Sequence, residues 1–109
     1  MFIRCAYLIG KPVAGKADAL RENLLKSLKM YMAFEKIRSA KLLTGKDFED
    51  GAPEIYATLE LCFDNEADLL AALATPYRQE FRAFFAANVM PNFDGIVKHI
   101  NQDVAEEKP

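Results

Sequence analysis

Apolar and polar residues alternate most clearly in the middle of the chain, between Ile55 and Phe63. The odd-numbered positions of this stretch are apolar, whereas Tyr56, Thr58 and Glu60 follow the other phase. A period of two residues is typical of a β-strand with one buried face. We therefore expect a strand whose odd positions pack under helices and whose even positions lie on the opposite face.

Three other runs have the composition of strands and are bounded by turn-forming residues: Phe2–Ile9, Ile37–Leu43 and Ile96–Ile100. The turn Gly10-Lys11-Pro12 closes the first run, because glycine and proline interrupt regular structure. Polar residues follow the last run from Gln102 onward. We assign residues 1–104 to a single domain and residues 105–109 to a C-terminal tail.

Two helical segments separate these strands. Leucines spaced by four residues predict a first helix from Ala17 to Met32. The second segment has a candidate cap in Asp64 or Asn65, whose side-chain oxygen can accept backbone N–H bonds. It is interrupted at Thr75-Pro76 and restarts there, since proline is tolerated at the first helical position. The restarted helix carries an aromatic stripe, which we interpret as core or interface: Tyr77, Phe81, Phe84 and Phe85.

The resulting element order is β-α-β-β-α-β, which predicts an α+β, ferredoxin-like domain with a four-stranded antiparallel sheet. In this arrangement both helical segments cover one face of the sheet, and the other face stays uncovered. An uncovered sheet face with apolar residues usually marks an interface. We therefore predict a homodimer.

The composition limits the possible binding partners and the cellular compartment. A net charge of −2 gives no basic field, so we expect neither a nucleic-acid nor a membrane partner. Cys5 and Cys62 lack the repeated spacing of a metal cluster or a disulfide framework, and we interpret them as free thiols in a reducing, cytoplasmic environment. The first apolar run is too short to span a bilayer.

The candidate site begins on the polar face of the clearest strand. Glu60 can act as a general acid or base if an apolar pocket raises its pKa, and Tyr56 and Thr58 can bind a substrate oxygen. The alternative interpretation is structural, with Glu60 pairing with Arg4 on the neighbouring central strand, because buried charges are usually paired.

The facing of the first and last strands is left open by their patterns. In the first strand either Arg4 or Tyr7 lies on the substrate-facing surface, and in the last strand either Lys98 or His99 lies there. His99 is the only histidine and can relay protons near neutral pH, with a structural role as the alternative. One histidine and two separated cysteines do not make a metal site. The run after the first strand lacks the Lys-Ser/Thr ending of a phosphate-binding loop, so no cofactor is expected.

The chain resembles the EthD-like proteins of the dimeric α+β barrel superfamily. The resemblance is carried by the turn Gly10-Lys11-Pro12, the strand from Tyr56 to Phe63, the tract Ala71-Ala72-Leu73-Ala74-Thr75-Pro76, and Met90-Pro91-Asn92-Phe93. The chain is also similar to antibiotic-biosynthesis monooxygenases and stress-responsive barrel proteins. The resemblance implies two copies whose sheets pack face to face around a small pocket.

One departure from the family pattern leaves two hypotheses open. EthD-like proteins typically carry a histidine near the start of the first helix, whereas Ala14 to Met32 contains none. The first hypothesis is a cofactor-independent enzyme of the proton-transfer, cyclase or monooxygenase type, with Glu60 or His99 as base and Tyr56 or Tyr7 orienting a carbonyl. The second is a non-catalytic barrel dimer that binds a small apolar ligand or a protein partner.

Overall fold

The computed structural model describes residues 1–109 and contains four strands, three helices and a short 3-10 turn. In chain order these are β1 (Phe2–Pro12), α1 (Ala17–Tyr31), β2 (Ile37–Thr44), β3 (Ile55–Phe63), α2 (Glu66–Leu73), α3 (Tyr77–Asn88), the turn Met90–Asn92 and β4 (Phe93–Asp103). The strands form one antiparallel sheet in the spatial order β2-β3-β1-β4. The predicted ferredoxin-like α+β fold is confirmed, with the second helical segment divided into α2 and α3.

The division between α2 and α3 follows from local sequence. The Asn65 side chain accepts a hydrogen bond from the backbone N–H of Asp68 at 2.9 Å, and this cap begins α2. The helix ends at Leu73, and α3 begins at Tyr77, directly after Pro76. The Tyr77 hydroxyl then donates to the backbone oxygen of Met30 at 3.0 Å, which ties the start of α3 to the end of α1.

From Ala57 to Phe63, the alternation in β3 places a continuous apolar row under the helices, as predicted. The prediction is wrong for Ile55, which pairs with Ile9 beyond a β-bulge and is not part of the core. Ala57, Leu59, Leu61 and Phe63 are all buried there. They pack against Leu20, Leu24 and Tyr31 of α1, Leu69 and Ala72 of α2, and Phe81 of α3 in one hydrophobic core. Burial of such side chains from water supplies the main favourable free energy of folding.

Tyr56 departs from this alternation. Leu8 of β1 pairs with Ala57, but the next residue, Ile9, pairs with Ile55, so Tyr56 is the extra residue of a β-bulge. Its side chain packs against the core, and its ring centroid lies 6.3 Å from that of the buried Phe93. The expectation that Tyr56 lies on the same face as Thr58 and Glu60 is therefore wrong, because the bulge breaks the period of two.

The central strand β1 and the edge strand β4 are both longer than predicted. They pair along their full length, from Phe2 with Asp103 to Pro12 with Phe93. The residues from Gln102 to Asp103 therefore belong to β4 and not to a polar tail. Gly10 lies opposite Gly95, and a Cβ atom on either would collide with the facing backbone. The close approach of these strands thus requires glycine at both positions. The assignment of residues 105–109 to a tail stays a prediction.

None of the three helices has the length and apolar character needed to cross a lipid bilayer.

Candidate functional site

A cavity of about 410 Å³ lies between the sheet and the helices, within a single copy of the chain. We call it the helix-side cavity. Of its 15 lining residues 11 are hydrophobic, which is the usual character of a small-molecule site. The lining consists of Arg4, Ala6, Tyr31, Phe34, Leu61, Phe63, Ala72, Leu73, Arg78, Phe81, Arg82, Phe85, Met90, Val97 and His99.

Strands β1 and β4 contribute the polar groups of the cavity floor. Arg4 follows the phase of Phe2 and Ala6, which are buried under the helices, and His99 lies directly opposite Ala6 on β4. The Nη1 atom of Arg4 donates a hydrogen bond to Oδ1 of Asn101, its partner across the strands, at 3.0 Å. The structure therefore directs Arg4 and His99, rather than Tyr7 and Lys98, toward the helices.

Helix α3 supplies the opposite wall. Arg78, Phe81, Arg82 and Phe85 are spaced by three and four residues, so they lie on one face of the helix. The Phe81 ring packs against Tyr31 of α1, with the ring centroids 4.1 Å apart. This wall thus combines an aromatic surface with two guanidinium groups.

The charge of the helix-side cavity is entirely basic. Arg4, Arg78 and Arg82 line it, together with His99, and no carboxylate does. The four ion pairs of the chain all involve other residues. The only hydrogen bond that the guanidinium group of Arg78 makes is a long one, 3.5 Å from Nη1 to the backbone oxygen of Leu73. Most guanidinium donors of the cavity are therefore free to meet a ligand or water.

These surroundings change the titration of two lining residues. The surrounding protein, and then the charges of Arg4 and Arg78, lower the pKa of His99 below its ordinary value. Although His99 remains exposed at the edge strand, it is thus neutral at pH 7 and can accept a proton. Burial raises the pKa of Tyr31, so its hydroxyl stays protonated and can donate a hydrogen bond.

Three of the other four predicted site residues lie on the opposite side of the sheet, which we call the open sheet face, whereas Tyr56 packs against the core. Tyr7, Thr58 and Glu60 line a hollow of about 350 Å³ there, next to Cys5. Cys5 pairs with Glu60 across β1 and β3, and burial raises the pKa of its thiol. The open sheet face is formed by Ile3, Cys5, Tyr7, Ile9, Ser39, Lys41, Leu43, Thr58, Glu60, Cys62, Ile96, Lys98, Ile100 and Gln102.

The sheet thus separates five of the six predicted site residues into two groups. Arg4 and His99 lie together in the helix-side cavity, whereas Tyr7, Thr58 and Glu60 lie on the open sheet face. An ion pair between Glu60 and Arg4 is excluded. Glu60 pairs with Cys5, the residue after Arg4, and successive residues of a strand point to opposite faces of the sheet. The predicted pocket on the open sheet face is the smaller of the two hollows.

Sequence reasoning missed Tyr31, Arg78 and Arg82. A signal for the two arginines was present, because they alternate with Phe81 and Phe85 at helical spacing on the apolar side of α3. Arginine on the aromatic face of a helix is unusual for a core and points to a cavity. The chain holds no group of three or more His, Cys, Asp and Glu side chains placed to bind a metal ion.

No protein-family model matches the sequence, and no curated protein matches it. Solved structures do match the fold. An EthD family protein from Bacillus halodurans superimposes with a TM-score of 0.74 at 13% identity, covering 94% of this chain and 98% of that one. SnoaB, a cofactor-independent oxygenase from Streptomyces nogalater, matches with a TM-score of 0.67 at 11% identity, covering 99% and 95%.

A dimeric ferredoxin-like protein of unknown function from a Jannaschia species matches with a TM-score of 0.65 at 14% identity, covering 95% of this chain and all (100%) of that one. These identities are low, so the likeness establishes the fold alone. At that level the resemblance to EthD-like proteins is confirmed: the chain has the ferredoxin-like fold of an EthD family protein along nearly its whole length.

Proposed function

We propose that this protein binds a small hydrophobic molecule in the helix-side cavity and catalyses proton transfer on it without a cofactor. The observation that carries the proposal is the placement of His99, a neutral base, at an apolar cavity beside Arg4 and Arg78. Among proteins of this fold, SnoaB is described as a cofactor-independent oxygenase, which supports the class of chemistry.

In the proposed step, His99 accepts a proton from a carbon next to a substrate carbonyl. The electron pair of the broken C–H bond moves toward the carbonyl oxygen and forms an enolate. Guanidinium groups of Arg4 and Arg78 stabilise the negative charge that develops on this oxygen, and the Tyr31 hydroxyl is a further donor. His99 then returns the proton, and this gives exchange or epimerisation when it goes to the same carbon and an isomerase-type outcome when it goes to another carbon.

The proposal includes an assembly and a compartment. We infer a homodimer formed through the open sheet face, since a protein of the same fold is described as dimeric. We also infer a reducing, cytoplasmic environment, because Cys5 and Cys62 are both free thiols.

The second candidate function is a non-catalytic, ligand-binding dimer. The observation that favours it is the exposure of His99 on the edge strand β4, where bulk water reaches a base that would work best when shielded. Both functions require ligand binding in the same cavity, and they differ in whether His99 moves a proton.

An exchange assay separates the two candidates and also decides between the two predicted bases. The probe is 2-tetralone, an apolar bicyclic ketone with acidic α-hydrogens, and proton NMR follows their exchange in deuterated water. We expect the protein to accelerate the exchange and His99→Gln to lower that acceleration at least about tenfold, because a positioned base contributes on the order of 10²–10⁴-fold with its own substrate.

Glu60→Gln is the matched comparison, since Glu60 lies on the other side of the sheet. If Glu60→Gln abolishes the acceleration and His99→Gln does not, the base lies on the open sheet face and the proposed mechanism is wrong. If the ketone binds but neither substitution changes the exchange rate, the non-catalytic function stands instead.

A further inference from the structure

The helix-side cavity has a charge pattern that a purely hydrophobic ligand does not explain. Three arginines from two elements converge on it: Arg4 from β1, and Arg78 and Arg82 from α3. No carboxylate lines it, and none of the three arginines takes part in an ion pair. Guanidinium groups kept together without a negative partner repel one another, so this arrangement gains stability when an anion enters.

The apolar part of the cavity lies beside these charges. Phe34, Phe81 and Phe85 form an aromatic wall with Tyr31, and their ring centroids are separated by 4.1 to 6.1 Å. Flat apolar rings fit against such a wall, because aromatic side chains bury large areas in stacked or tilted contacts. The arginines lie on the same helix face as Phe81 and Phe85, so one ligand can contact both kinds of group.

We infer that the natural ligand is an apolar, ring-containing molecule with an acidic group, such as a carboxylate or a phenolate, that binds the arginines of the helix-side cavity. This inference rests on the proposed function and adds the class of ligand to it. The acidic group contacts the guanidinium groups of Arg4 and Arg78, and the rings lie against the aromatic wall.

The other contacts of the two arginines do not account for their placement. The guanidinium group of Arg4 uses one N–H on Asn101, at 3.0 Å, and that of Arg78 makes only the 3.5 Å hydrogen bond with the backbone oxygen of Leu73. A guanidinium has five N–H donors in a planar fork that matches a carboxylate. Arg4, Arg78 and His99 line the same cavity, and the charges of the two arginines both lower the pKa of His99.

A pair of fluorescent probes of similar shape tests the inference. One is the anion 8-anilinonaphthalene-1-sulfonate, and the other is the neutral N-phenyl-1-naphthylamine. The quantity compared is the ratio of their dissociation constants in each variant, so that the different hydrophobicity of the probes cancels. We expect Arg4→Gln and Arg78→Gln each to reduce the preference for the sulfonate at least about threefold, and together about tenfold or more, since hydrogen bonds to charged groups are strong.

Two controls locate the binding. Arg21→Gln removes a solvent-exposed charge from α1, outside the cavity, and should leave the ratio unchanged. Val97→Trp fills the cavity from β4 and should weaken both probes, while circular dichroism confirms that the variant is folded.

The outcomes separate this inference from the proposed function. If Val97→Trp weakens both probes but the arginine variants leave their ratio unchanged, the cavity binds apolar molecules and the inferred acidic group is wrong. If both probes bind a folded Val97→Trp variant as tightly as the parent, the cavity is not the binding site, and the proposed function and the inference both fail.

Discussion

At the scale of single residues, His99 is the most informative group. It is the only histidine of the chain, so its imidazole signals in an NMR spectrum need no assignment. Burial by the surrounding protein lowers its pKa most, and the charges of Arg4 on β1 and Arg78 on α3 lower it by smaller amounts. The environment of one side chain thus reports on the whole basic cavity.

We predict that an NMR titration gives a pKa for His99 below the ordinary 6.5 of a histidine. Arg4→Gln and Arg78→Gln should each raise it, because each removes a positive charge that opposes the imidazolium. Arg21→Gln is the matched control and should have no effect. A pKa at or above 6.5 in the parent would mean that the arginines do not face His99.

The lowered pKa of His99 also determines how the free energy of unfolding depends on pH. Because the folded-state pKa is lowered, the unfolded chain binds a proton more readily than the folded one. The contribution of His99 to the free energy of unfolding is therefore complete above about pH 6.5, the unfolded value, and is lost as the pH falls through the folded-state pKa.

At the scale of elements, the order of strands and helices and the facing of β3 could be predicted from the sequence. The apolar row from Ala57 to Phe63 has a single phase, and only one side of the sheet is covered by helices. The facing of β1 could not be predicted, because both of its phases are apolar: Phe2, Ala6 and Leu8 face the core, while Ile3, Cys5 and Tyr7 face the open side.

Two features of the structure could not be predicted from the sequence, for related reasons. A β-bulge turned Tyr56 toward the core, and a bulge depends on the pairing of two strands that are distant in sequence. The arginines of α3 became part of a site only when the fold brought them opposite Arg4 and His99. Residue types and local periods do not record such long-range contacts.

Helix α2 offers a direct test of which side of a helix is buried. Leu69 and Leu70 are neighbours in sequence, but Leu69 is 0% exposed and Leu70 is 56% exposed. Leu69→Ala should lower the free energy of unfolding by about 2–5 kcal/mol, because it leaves a cavity in the core. Leu70→Ala should change it by about 0.5 kcal/mol or less. Urea unfolding of both variants checks the difference, and equal losses would contradict the packing of α2 on the sheet.

At the scale of the whole molecule, the main feature is the open sheet face, which no other part of the single chain covers. Helices α1, α2 and α3 cover the other side of the sheet. On the open sheet face, Leu43, Ile96 and Ile100 are each about half exposed, at 48%, 53% and 48%. Large apolar side chains exposed on both edge strands of the same sheet face, β2 and β4, are unusual for a monomeric protein and typical of an interface.

The open sheet face leads to the prediction that two copies associate through it. A two-fold symmetric partner would cover each patch with an identical one, which is the commonest symmetry of protein oligomers. Such an interface buries on the order of 2,000 Å² in total. Light scattering at micromolar concentration should therefore report about twice the chain mass of 12.3 kDa.

Combined Ile96→Asp and Ile100→Asp substitutions should yield monomers, because each would place a carboxylate in an apolar interface. Leu25→Asp, on the exposed side of α1, is the matched control and should leave the dimer intact. A parent protein that scatters as a monomer, or a variant at Ile96 and Ile100 that stays dimeric, would show that the open sheet face is not where the copies meet.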